Sequence, residues 1–151
     1  MALADDIDLL GKVPLFADLS PDQLRLIAFG AEHRTISKGQ ALFREKSPAE
    51  CAYVVSRGRI ELSTIGRGGK QEVEATVGPG VMLSELALVT MVERKFTATA
   101  LEDGDVIRIT RALFHRLLEE YPDMARVVEG RIRAAIGSLI DGASAMAGRF
   151  E

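Results

Sequence analysis

The sequence predicts a mainly β domain with flanking helices: an antiparallel β jelly roll (a double-stranded β-helix) with N-terminal helices before it and two C-terminal helices after it. Three observations predict this. Apolar residues recur at helical spacing from about Ile7 to Ala31. From His33 to Thr110 they give way to short runs rich in β-branched residues, separated by glycine and charged turns. Helical period returns after Thr110. At 151 residues the chain fits one domain and is long enough to bury a substantial core. The division expected is helices over 1–31, a β-roll over 32–110, helices over 111–141 and a flexible Ala/Gly/Ser-rich tail over 142–151.

In the first helical part, Leu9, Leu10, Val13, Leu15 and Phe16 supply an apolar face. Ser20-Pro21-Asp22-Gln23 combines an N-cap, a first-turn proline and a capping-box glutamine, so a helix is expected from Pro21 to about Gly30, burying Leu24, Ile27 and Ala28. About seven or eight strands come next, the clearest at Thr35-Ile36, Ala41–Phe43, Ala52–Ser56, Arg59–Ile65, Gln71–Val77, Lys95–Leu101 and Val106–Thr110. Lys38-Gly39-Gln40 and Arg57-Gly58-Arg59 signal turns, and Gly66-Arg67-Gly68-Gly69 a flexible hairpin tip. Past the strands, Leu113, Phe114, Leu117 and Leu118 share a helix face. Tyr121-Pro122-Asp123 breaks and restarts the helix, and a long stripe runs from Met124 through Val127, Val128, Ile132, Ala135, Ile136 and Leu139 to Ile140. Part of that stripe covers the domain's own core; the remainder is available for a two-fold dimer.

Composition narrows the function classes. With 47% hydrophobic and 27% charged residues the chain reads as an ordinary globular protein. A net charge of −3 weighs against direct nucleic-acid binding. The acidic N-terminus lacks the pattern of a signal peptide, and no apolar run approaches a membrane span, so a cytoplasmic protein without membrane attachment is expected. One cysteine, Cys51, allows no internal disulfide and is expected to pack in or near the core. His33 and His115 have no metal-ligand neighbours, and no nucleophile and base pair, phosphate-binding loop or metal cluster is visible; an enzyme is not expected.

The chemistry concentrates in residues 78–100. Gly78 and Gly80, with Pro79 between them, permit a sharp reversal. Ser84 is a candidate N-cap for the short apolar helix Ser84-Glu85-Leu86-Ala87-Leu88-Val89, whose unpaired N–H groups favour an anion. Arg94 can grip a phosphate bidentately, and Glu85 can accept from a sugar hydroxyl. Together they point to a sugar phosphate.

The run Gly80-Val-Met-Leu-Ser-Glu-Leu-Ala-Leu88, followed by Arg94-Lys-Phe-Thr-Ala98, resembles the phosphate-binding cassette of the cyclic nucleotide-binding domain family. That family includes the catabolite activator protein, protein kinase A regulatory subunits and the cytoplasmic domains of cyclic-nucleotide-gated channels. The stretches Val13–Leu24 and Lys38–Leu62 resemble the family too, so the likeness runs from about Leu9 to Ile140. The resemblance implies that Glu85 binds the ribose 2′-hydroxyl, that Arg94 binds the cyclic phosphate, and that the amides of Ser84, Leu86 and Ala87 complete the anion site. Leu83, Lys95, Phe96 and Thr97 flank these positions and count with the site. Four residues depart from the family pattern: Ser84 and Lys46 stand where glycine is usual, Phe96 where a small residue is usual, and Leu83 where phenylalanine is usual.

The resemblance implies a stand-alone regulatory module. It is expected to bind cyclic AMP or cyclic GMP, to need no other cofactor or metal, and to signal through its C-terminal helices to a protein partner or by homodimerisation. With about a dozen residues after Leu139, no DNA-reading domain is expected. The alternative is a jelly-roll module that binds no nucleotide and serves as a protein-interaction or assembly domain.

Overall fold

The structure is a computed structural model that describes residues 3–140, with side chains through Ile132. Helix α1 (Leu3–Gly11), a 3₁₀ turn (Pro14–Phe16) and α2 (Pro21–Gly30) precede the strands. The capping box forms as the sequence predicts: the Ser20 hydroxyl accepts from the Gln23 amide at 3.2 Å, and the Gln23 side chain accepts from the Ser20 amide at 2.9 Å. After the strands come α3 (Arg111–Glu120) and α4 (Pro122–Ile140), parted at Tyr121 as expected.

Ten strands are present: β1 (Glu32–Ile36), β2 (Ala41–Phe43), β3 (Pro48–Ala49), β4 (Cys51–Arg57), β5 (Ile60–Ile65), β6 (Gln71–Val77), β7 (Met82–Leu83), β8 (Val92–Glu93), β9 (Thr97–Ala100) and β10 (Gly104–Thr110). The seven or eight read from sequence omit β3, β7 and β8, which are two residues each and too short to show any alternation. All pairings are antiparallel, in two four-stranded sheets ordered β1-β10-β4-β7 and β2-β9-β5-β6, with β3 and β8 paired separately. The expected mainly β jelly-roll architecture with flanking helices is thus the observed one.

Strand β4 explains why the helices lie where they do. Its first five residues are all buried because both of its faces are covered. Ala52 and Val54 join Ile107 and Ile109 of β10 in a core with Leu10, Phe16, Ile27, Phe114 and Met124. On the other face, Cys51, Tyr53 and Val55 join Ile60, Leu62, Val77, Leu83, Ala98 and Val106 inside the roll. Period-two alternation therefore feeds two separate cores from one strand. The C-terminal stripe is partly consumed here: Met124 and Val128 are fully buried, with Val127 and Ile132 packed against the same core. The side chains of Ala135, Ile136, Leu139 and Ile140, and the tail over 142–151, lie outside the described residues.

Gly104 marks the tightest backbone crossing. A Cβ there would lie 2.2 Å from the carbonyl oxygen of Arg57 and 3.2 Å from the Cα of Gly58. Neither neighbour is a flexible side chain, so the β4–β10 register itself must shift. Gly104→Ala should therefore cost about 3 kcal/mol, the upper end for overpacking, and lower the melting temperature by roughly 6–12 °C in thermal unfolding. A shift under about 2 °C would show that the bulge between Asp105 and Val106 absorbs the methyl group.

Candidate functional site

Residues 78–100 fold over one end of β4. The Gly80 amide donates to the Val55 carbonyl at 2.9 Å, and the Val55 amide to the Val81 carbonyl at 3.0 Å. Met82 and Leu83 then pair with Val54 and Tyr53 as β7. Gly80 takes the left-handed φ of 91° that the reversal needs, whereas Gly78 does not adopt positive φ. Leu83 is fully buried, opposite Tyr53.

At Ser84 the structure corrects the sequence reading. The residue precedes the short 3₁₀ helix Glu85–Leu88, but its side chain makes no capping bond, and its backbone is left-handed at φ 63°, ψ 46°. It keeps the conformation that glycine would supply, at the cost that a Cβ imposes there. Lys46 does the same at φ 70°, and these two are the non-glycine residues with positive φ among the described residues. Both are positions where the resembled family commonly has glycine, the residue that takes this backbone without steric cost.

The Lys46 turn sets the second arm of the site. The Lys46 amide donates to the Arg94 carbonyl at 2.7 Å, and the Arg94 amide to the Ser47 carbonyl at 2.8 Å, continuing the β3–β8 pairing. So anchored, Arg94 points into the roll and is only 5% exposed. Its Nη1 donates to the Cys51 carbonyl at 2.8 Å and its Nη2 to the Cys51 sulfur at 3.3 Å. The guanidinium carbon lies 4.4 Å from the Phe43 ring centroid and 5.5 Å from that of Tyr53, and those two rings stack at 6.0 Å. The Arg94 Nε–H is buried with no acceptor among the described residues. Burial, reinforced by the adjacent Cys51 thiol, pushes the Tyr53 phenol up from its ordinary range, so Tyr53 stays neutral beside the cation.

The other sequence-designated residues surround this point. Glu85 and Leu86 are half-buried and Ala87 is fully buried. The Ala87 amide, expected to face an anion, donates to the Ser84 carbonyl at 3.0 Å. Lys95 is exposed; Phe96 is half-buried and packs against the core inside the roll. The Thr97 hydroxyl accepts from the Glu45 amide at 2.9 Å.

Sequence reasoning missed four members of the site. Phe43 and Tyr53 read as strand residues and Cys51 as a packing residue just before a strand, and nothing in their spacing shows that a cation would lie among them. Arg111, in the first turn of α3, lies within hydrogen-bond distance of three carbonyls through Nη1: Ala49 at 3.1 Å, Ala87 at 3.2 Å and Thr90 at 2.9 Å. A cation in a helix's first turn opposes the helix dipole, and that anomaly is a legible signal that Arg111 has partners elsewhere.

Comparison with known proteins bears on the family and the fold. Residues 33–121 match the family pattern described as the cyclic nucleotide-binding domain. A cyclic nucleotide-binding-like protein from Brucella abortus is 45% identical, over 76% of this chain and 98% of that one, with a TM-score of 0.71. The regulatory domain of PKA from Toxoplasma gondii, solved with cAMP, is 27% identical over 76% of this chain and 44% of that one, with a TM-score of 0.71. Lysophospholipase NTE1 of Chaetomium globosum is 30% identical over 94% of this chain, which spans only 9% of that enzyme's length.

Strain at Ser84 is directly measurable. Left-handed backbone costs a non-glycine residue about 1–2 kcal/mol, and the extra freedom of glycine in the unfolded chain returns about 0.4–1 kcal/mol of that. Ser84→Gly should therefore raise stability by roughly 0.5–1 kcal/mol in urea unfolding, with Ser84→Ala giving no such gain. Equal stability of the glycine and alanine variants would mean that Ser84 is not strained.

Proposed function

Because this chain belongs to the cyclic nucleotide-binding domain family, we propose that it is a regulatory module that binds cyclic AMP or cyclic GMP at the cassette formed by residues 78–100. In this reading Arg94 holds the cyclic phosphate, Glu85 accepts from the ribose 2′-hydroxyl, and the backbone of Ser84 and Leu86 adds hydrogen-bond donors. Leu83, Ala87, Lys95, Phe96 and Thr97 shape the surroundings. The observation that carries it is Arg94: the cassette arginine lies inside the roll with its Nε–H unpartnered, where an anionic acceptor would satisfy it. The cAMP in the Toxoplasma gondii relative supports the ligand class.

The signal leaves through the helices, to a protein partner or a second copy of the chain, by way of the Arg111 contacts that join the cassette's 3₁₀ helix to α3. A lone buried cysteine suits the reducing cytoplasm as the place of action. No helix among the described residues is long and apolar enough to cross a membrane. The lysophospholipase likeness covers too little of that enzyme to bring an activity with it.

Titration calorimetry of the purified chain with cyclic AMP and with cyclic GMP should give saturable binding to at least one. Arg94→Ala should weaken it about ten- to hundredfold through loss of charge-assisted bonds. No heat of binding for either nucleotide would overturn this reading in favour of a jelly-roll module that serves as an interaction domain. Binding unaffected by Arg94→Ala would move the anion site away from the cassette.

A further inference from the structure

The position of Arg94 carries an inference that rests on the nucleotide reading and goes beyond it. A guanidinium that is only 5% exposed must have its donors met or its charge offset, since isolated burial of a cation is heavily unfavourable. Here the roll meets that need itself. The Cys51 carbonyl and sulfur accept from Nη1 and Nη2, and the faces of Phe43 and Tyr53 take the flat cation. The atoms that occupy the arginine are therefore the ones a phosphate would have to replace. Of the three guanidinium nitrogens, Nε is buried with no acceptor among the described residues.

We propose that this arrangement is a closed state of the anion site, in which Cys51, Phe43 and Tyr53 latch Arg94 and compete with the phosphate of the ligand. Cys51 and Phe43 act as residues that set affinity through the position of Arg94. Only the unlatched fraction is competent, so the apparent dissociation constant is raised in proportion to how fully the latch is closed. The sequence supplies the parts at separated positions: Phe43 on β2, Cys51 and Tyr53 one alternation apart on β4, and Arg94 just after β8. Because Cys51 and Tyr53 point to the same side of β4, the thiol and the ring meet the guanidinium together.

Two measurements test this. The first reads the closed state without any nucleotide. In the ¹⁵N-labelled chain, the Arg94 Nε–H signal, assigned by its disappearance in Arg94→Lys, should be shifted upfield by the Phe43 ring and exchange slowly with water at neutral pH. A signal that exchanges as fast as that of free arginine overturns the proposal. The second is calorimetry with cyclic AMP and cyclic GMP on Phe43→Leu, which keeps apolar volume and removes the aromatic face. Affinity should rise about two- to thirtyfold, the range set by an exposed to a desolvated cation–π contact. Cys51→Ala, a milder change should Phe43→Leu not fold by circular dichroism, should raise affinity about twofold or more by removing the sulfur acceptor.

Affinity that falls or stays level in folded Phe43→Leu and Cys51→Ala, with the wild type binding normally, overturns the latch and leaves the nucleotide reading intact. Binding that appears only in the variants supports both. No binding in the wild type or in either variant overturns the nucleotide reading and the competition together, and a protected Nε–H signal would then assign Arg94 to packing alone.

Discussion

Strand β4 is the constraint on which the rest of this structure depends. It is buried on both faces, so its alternate residues must satisfy two environments that never touch. Ala52 and Val54 accept the helices, and their small volume lets Phe16 and Phe114 come within 6.0 Å of each other behind the sheet. Cys51, Tyr53 and Val55 line the roll. A one-residue slip would exchange these sets, sending the Tyr53 phenol into the apolar helical core, so the register is held by both cores at once. The close crossing of Gly58 and Gly104 is the geometric counterpart of that register, because β4 and β10 come too near for a side chain.

The same strand decides what the roll does with a buried cation. The roll receives a guanidinium because β4 offers a carbonyl, a sulfur and a ring within reach of one side chain. The arrangement is costly to break at one end only. Removing an acceptor leaves a buried charge less well met, whereas moving the whole side chain toward an anion exchanges one set of partners for another. A site that alternates between an internal and an external partner needs this kind of near balance, and neutral acceptors and aromatic faces supply a looser hold than a carboxylate would.

Much of the architecture is legible in the sequence because it rests on periodicity and punctuation. The change from helical to alternating spacing near His33, its reversal at Thr110, the Ser20–Gln23 box and the Tyr121-Pro122 break are local signals, and each names its own consequence. The candidate cassette stands out for the same reason: glycines, a short apolar run and an arginine occur at fixed spacing. What sequence does not show is conformation that contradicts residue type. Ser84 reads as a cap because serine caps helices, yet it makes no capping bond and takes the left-handed turn that follows the Leu83–Tyr53 pair. Lys46 is the same case, its backbone held by bonds to Arg94 across the β3–β8 pair. The latch around Arg94 is hidden for a different reason, since Phe43, Cys51 and Arg94 meet only through the closing of the roll, a long-range event with no local sequence mark.

Arg111 ties these observations to the helices. A cation in the first turn of α3 opposes the helix dipole, and the convergence of the Ala49, Ala87 and Thr90 carbonyls on its Nη1 offsets that opposition. Ala87 belongs to the cassette's 3₁₀ helix and Thr90 lies just beyond it, so the guanidinium joins that segment to α3 through one part-buried and one exposed contact. A displacement of the 3₁₀ helix either carries α3 with it or breaks these contacts. Tyr121 alone separates α3 from α4, and Met124 and Val128 bury the start of α4 in the same core as Leu113, Phe114 and Leu117 of α3. The route from cassette to terminal helix is thus a chain of direct contacts, polar at its first joint and apolar at its second.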